Sequence, residues 1–100
     1  MQDDNAPLLI AKGFYRNDHR QIGIHYYVGE IDQQENTWFW KVKKAAHMLD
    51  RAIELAQEMV TSKKRRVFFS LQAFPMGSYI NGDIPHFTDV TNAVINYKSR

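Results

Sequence analysis

The sequence predicts an α+β fold, a mostly antiparallel sheet in the order β-β-β-α-β-(β)-α with one long amphipathic helix packed across one face. Three observations carry it. Residues 22–28 alternate with a period of two, Ile22, Ile24, Tyr26 and Val28 against Gly23, His25, Tyr27 and Gly29, the pattern of a strand with one buried face. Residues 42–60 place their apolar side chains on one arc at the helical period. The runs Leu8–Tyr15 and Val67–Phe74 are rich in branched and aromatic residues bounded by polar, turn-forming stretches.

In chain order, residues 1–7 read as a flexible acidic and polar tail, and residues 8–100 as a single globular domain. The polar stretch 16–21 joins the first two runs as a hairpin, and Asp32 to Asn36 forms a second turn. Thr37 to Lys41 is then extended. On the helical wheel Val42, Ala45, Ala46, Leu49, Ala52, Ile53, Ala56, Met59 and Val60 share one half-turn, whereas Lys41 would fall in its middle. The helix is therefore expected to start near Val42 or Lys43 and to run for about 20 residues, ~30 Å. A strand over 67–74 is stopped by Pro75-Met76-Gly77, an Asn81-Gly82 turn suggests a short hairpin, and the chain ends either in a helix capped by Thr88, in which Val90, Ala93, Val94 and Tyr97 share a face, or in a strand over Val90 to Tyr97.

Composition narrows the class of protein. With 100 residues and 44% hydrophobic side chains, the chain suffices for one core. It contains no cysteine, which removes disulfides, thiolate metal sites and Cys nucleophiles and suits the cytoplasm, the expected location. The first residues form no apolar leader-like segment, and no apolar run approaches the ~18 residues of a membrane span.

Chemistry-bearing motifs are scarce. The four histidines have no metal-ligand spacing, HExxH and GxSxG are missing, and the five glycines form no phosphate-cradling loop. The expectation is therefore a non-enzymatic protein with no catalytic residues, metal or cofactor.

Charge is the more specific signal. Residues 1–36 hold three basic and six acidic side chains, residues 37–66 eight and three, and residues 67–100 two and two. The middle segment thus carries +5 of a net +2. Lys41, Lys43 and Lys44 sit where the helix is expected to begin, where cations oppose the macrodipole, so local stability does not account for the three of them. Arg51 lies on its polar face, and Lys63, Lys64, Arg65 and Arg66 follow its end. Arg16 and Arg20 belong to the first hairpin turn. Tyr27 and Phe39 are expected on the sheet face opposite the helix, with Trp38 and Trp40 facing the helix. The segment after Pro75 either covers that aromatic face or leaves it open to a partner.

Together these features favour a small binding protein that docks on a larger protein assembly as an inhibitor, adaptor or regulator, a description shared by phage and mobile-element inhibitors of host defence machines. Its partner would present an acidic or phosphate-bearing surface. Direct nucleic-acid binding through the same cations, with Tyr27 or Phe39 stacking on bases, is the second expectation; an enzyme or ligand-binding domain using His25 or His86 with nearby carboxylates is a third, and a homodimer is also open.

Overall fold

The computed structural model describes residues 6–15, 25–61, 64–76, 79–81 and 87–98. Three long strands, β1 (Leu8–Tyr15), β2 (Tyr26–Gln34) and β3 (Thr37–Ala46), lead into helix α1 (Leu49–Met59). Four short strands follow, β4 (Val67–Phe69), β5 (Phe74–Met76), β6 (Tyr79–Asn81) and β7 (Thr88–Asp89), and then a short helix, α2 (Thr91–Ile95). The sheet runs β6-β3-β2-β1-β4-β7, with β5 also on β1. Four pairings are antiparallel, whereas β4 and β5 lie parallel to β1, so the α+β class and the mostly antiparallel sheet stand, with a mixed pair at the centre.

The helix is shorter than its periodicity suggests. It has 11 residues and begins at Leu49, and residues 42–46 belong to β3. Val42 and Ala46 satisfy a helical spacing, but they also fit a strand carrying one extra residue. Val28 pairs with Lys44 and Gly29 with Val42, so Lys43 is inserted as a β-bulge. Trp38, Trp40 and Val42 therefore point to one face and Ala46 to the other. A continuous ladder to β2 outweighs the modest helix preference of two alanines.

Other boundaries also move. The β2–β3 turn tightens to Glu35-Asn36, with Glu35 at φ 33°, so Asp32 to Gln34 are strand. Where one strand over 67–74 was expected, two lie along the same flank of β1. Ile10 pairs with Phe69 and Gly13 with Phe74, leaving Ser70 to Ala73 to bridge a gap that β1 spans in two residues. Pro75 does not end the strand, since it pairs with Phe14 inside β5, a short segment that tolerates a missing N–H. Thr88 lies in β7, not at a helix cap. Tyr79–Asn81 pairs with β3, and the rest of the expected Asn-Gly hairpin, 82–84, lies outside the described residues, as do 1–5 of the expected tail. Ala6 and Pro7 both accept hydrogen bonds, from Arg65 Nε (2.9 Å) and the Ile31 N–H (2.8 Å).

Strand alternation on β1 separates two cores. Leu8 and Ile10 face α1 and α2 and pack with Val28, Ala46, Ala52, Ala56, Val67 and Val94. Leu9 and Ala11 face the other way, with Tyr27, Ile31, Trp38, Trp40 and Phe74. The small Ala52 and Ala56 bring α1 close to the sheet, and the large side chains sit on the opposite side. Trp38 and Trp40 thus lie away from the helix, contrary to expectation. Phe74, Ile80 and Phe87 pack on their face. The Phe74 ring is 5.3 Å from Trp38 and 6.3 Å from Trp40, and Phe87 is 5.6 Å from Phe74. The Trp40 indole crosses Gly29, where an added Cβ would meet Nε1 at 2.5 Å. Its N–H donates to the Leu9 carbonyl at 3.2 Å.

Candidate binding surface

The bulge in β3 sets the geometry of the cationic side chains. Lys41, Lys43 and Lys44 stand within four residues on one strand, all exposed, and not at a helix N-terminus, so the macrodipole puzzle posed by the sequence disappears. Lys41 is in register with Glu30, and Lys43 Nζ approaches Glu30 Oε1 at 3.7 Å. Lys44 lies opposite Val28. The strand is internal only at its start, where β6 pairs with Thr37 to Phe39. Among the described residues no strand pairs with the outer edge of β3 beyond Phe39. Phe39 itself is half-buried, with its ring 5.2 Å from that of the exposed Tyr79.

The remaining expected site residues do not join this group. Arg65 is a correction, since it is only 6% exposed. Its Nε donates to the Ala6 carbonyl and one terminal nitrogen to the Met59 carbonyl at 3.3 Å. The other terminal nitrogen sits 3.3 Å from Glu30 Oε2, within ion-pair reach but off the line of a hydrogen bond. Glu30 thus holds Lys43 with one oxygen and Arg65 with the other.

Arg66 donates to Asp89 Oδ2 through Nε at 3.1 Å and again through a terminal nitrogen. Arg51 pairs with Glu54 one turn along α1 at 2.9 Å. Lys64 is exposed and engaged. Tyr27 is a second correction, for it is buried in the aromatic core with its ring edge-on to Trp40 and cannot stack on a base. Phe39 lies on the other face from Tyr27. Arg16, Arg20, Lys63 and His86 lie outside the described residues.

Two arrangements had escaped the sequence reading. His25 and His47 have ring centroids 4.2 Å apart, because they flank the Tyr26–Ala46 pair of the β2–β3 ladder. A helix drawn through residue 46 hides that pairing. No group of three or more His, Cys, Asp or Glu side chains able to hold a metal occurs among the described residues. The other is an apolar cavity of about 190 Å³ between α1, α2 and the sheet, lined by Ile10, Leu49, Ile53, Phe69, Val90, Ala93, Val94 and Tyr97. The last four are the residues whose spacing assigns them a common face.

No described helix is long and apolar enough to cross a membrane. No known protein family, curated protein or solved structure matches this chain.

Proposed function

We propose that the protein is a non-catalytic docking module, an inhibitor, adaptor or regulator, that engages an acidic partner along the β3 edge. The observation that carries this reading is the run of three exposed lysines, Lys41, Lys43 and Lys44, on a strand whose outer edge no described strand pairs with beyond Phe39. An open edge offers main-chain hydrogen bonds to an extended segment, while its side chains set the preference for partners. Lysines on such an edge repel a second copy laid against it, which argues against a homodimer through this edge and leaves an acidic segment as the complementary occupant.

The test is a photo-crosslinking residue at Ala45, which is exposed on the same strand. Once the crosslinked protein is identified and purified, Lys41→Glu together with Lys44→Glu should weaken its binding at least about tenfold, chiefly in association rate. Lys43 is left in place so that its contact with Glu30 persists. Crosslinks elsewhere, or equal binding by the double variant, would reject the edge as the interface.

A second reading draws on the exposed Tyr79 and the half-buried Phe39 beside Lys41. Aromatic rings next to cations stack single-stranded bases. Fluorescence anisotropy with labelled single- and double-stranded nucleic acid at two salt concentrations separates the two readings. Saturable, steeply salt-dependent binding that Tyr79→Ala abolishes would favour nucleic acid, whereas no binding at low salt would remove it.

A further inference from the structure

The cavity between α1 and α2 is distinct from the β3 edge, and its walls are held in place. The Gln57 amide nitrogen reaches from α1 to the carbonyls of Val94 (3.1 Å), Ile95 (3.0 Å) and Tyr97 (2.8 Å), clamping the end of α2. Ile10 of β1 and Phe69 of β4 form the floor, Leu49 and Ile53 one wall, and Val90, Val94 and Tyr97 the other. Apart from the Tyr97 hydroxyl every lining side chain is apolar, and six of the eight lining residues remain partly or fully exposed. This is a groove reachable from solvent, not a sealed packing defect.

Size and charge select its occupant. An apolar cavity of ~150 Å³ accepts benzene, and drug-sized ligands occupy roughly 300–1,000 Å³. At about 190 Å³ the groove suits one ring or a chain of about six carbons. Two carboxylates adjoin it in sequence, Asp50 after Leu49 and Glu54 after Ile53, one turn apart on α1. Both act on Tyr97, whose hydroxyl pKa is raised first by desolvation and then by Asp50 and Glu54. Glu54 is engaged by Arg51 at 2.9 Å, whereas Asp50 has no ion-pair partner among the described residues.

We propose that this groove binds a small apolar ammonium compound, an alkyl- or arylalkylamine whose hydrocarbon fills the cavity and whose cation lies between Asp50 and the Tyr97 ring. The Tyr97 face attracts a cation through its quadrupole, and Asp50 supplies the opposite charge. The bond set is non-covalent and calls for no further reactant.

Methyl-detected NMR titration of the full chain with hexylammonium, hexanol and hexanoate tests this. Hexylammonium should shift the methyls of Ile10, Ile53, Val90 and Val94 saturably, in the millimolar range and roughly tenfold more tightly than hexanoate. Asp50→Asn should narrow that preference. Ala93→Leu, at an exposed position of the lining, should fill the groove and abolish binding while the parent's circular dichroism is retained. Absence of saturable shifts at these methyls would overturn the proposal, as would binding that survives Ala93→Leu or hexanol and hexanoate binding as tightly as hexylammonium.

Discussion

Arg65 is the side chain whose role changes most between pattern and structure. In a Lys-Lys-Arg-Arg run it reads as one more surface cation, yet its guanidinium ties together the chain entering β1, the last turn of α1 and Glu30 of β2. Only a planar fork with several donors can serve acceptors in three directions, which a lysine ammonium does less well. Arg65→Met should therefore leave two carbonyls short of a donor and a partly buried carboxylate short of a counter-ion, at about 1–3 kcal/mol. For a domain of this size that lowers the thermal midpoint by roughly 4–20 °C, measurable by circular dichroism, and Arg65→Lys should recover only part of it. A methionine variant as stable as the parent would show that Glu30 and the two carbonyls are satisfied by water. The neighbouring Arg66 illustrates the contrast, since its pair with Asp89 is half exposed and worth correspondingly less.

The short β7–α2 unit shows how elements too small to be stable alone are fixed by polar contacts. Asp89 Oδ1 accepts from the Thr91 hydroxyl at 2.6 Å and the Thr91 N–H at 3.0 Å, while its other oxygen takes Arg66. The Thr91 hydroxyl in turn accepts the Val67 N–H at 2.8 Å, so the start of α2 is bound to β4. The hydrogen bonds from the Thr91 hydroxyl and N–H, and then Arg66, hold the Asp89 carboxyl down from 3.8 to about 2. A carboxyl depressed in the folded state contributes stability that is fully present above its unfolded value and lost as pH falls toward the folded one. The difference in stability between the parent and Asp89→Asn should therefore be constant above about pH 5 and shrink between about pH 4 and 2, as read by urea unfolding across that range. A difference that does not change with pH would mean that Asp89 acts through geometry and not charge.

Taken together, the two cores share one central strand. β1 supplies Leu8 and Ile10 to the helical side and Leu9 and Ala11 to the aromatic side, so damage to either core is transmitted through its backbone. Phe74 is the closing piece of the aromatic side, in ring contact with Trp38, Trp40 and Phe87 and 3% exposed. Phe74→Ala should cost about 3–5 kcal/mol, a large share of the 5–15 kcal/mol typical of a domain. The expected signature is a sharp fall in the urea midpoint, with the near-ultraviolet aromatic signal of the two tryptophans weakened. A loss below about 1 kcal/mol would mean that the residues around Trp38 collapse to fill the space.

The α+β class, the sheet's mostly antiparallel character, the strands at 8–15 and 67–69, and the apolar stripe Leu49, Ala52, Ile53, Ala56 and Met59 were legible from residue order, because local periodicity reports which side of an element is buried. The common face of Val90, Ala93, Val94 and Tyr97 was legible for the same reason, though not that it would leave a groove open. The end of β3 was not, since Val42 and Ala46 fit both periods and the choice rests on hydrogen bonds to β2 and a bulge at Lys43. Nor was the sorting of cations into the buried Arg65, the paired Arg66 and the exposed Lys41 and Lys44. Residue type fixes a charge, but whether that charge meets water, a carbonyl or a carboxylate depends on segments far apart in the chain, such as Ala6 and Met59 around Arg65, that only the folded arrangement brings together.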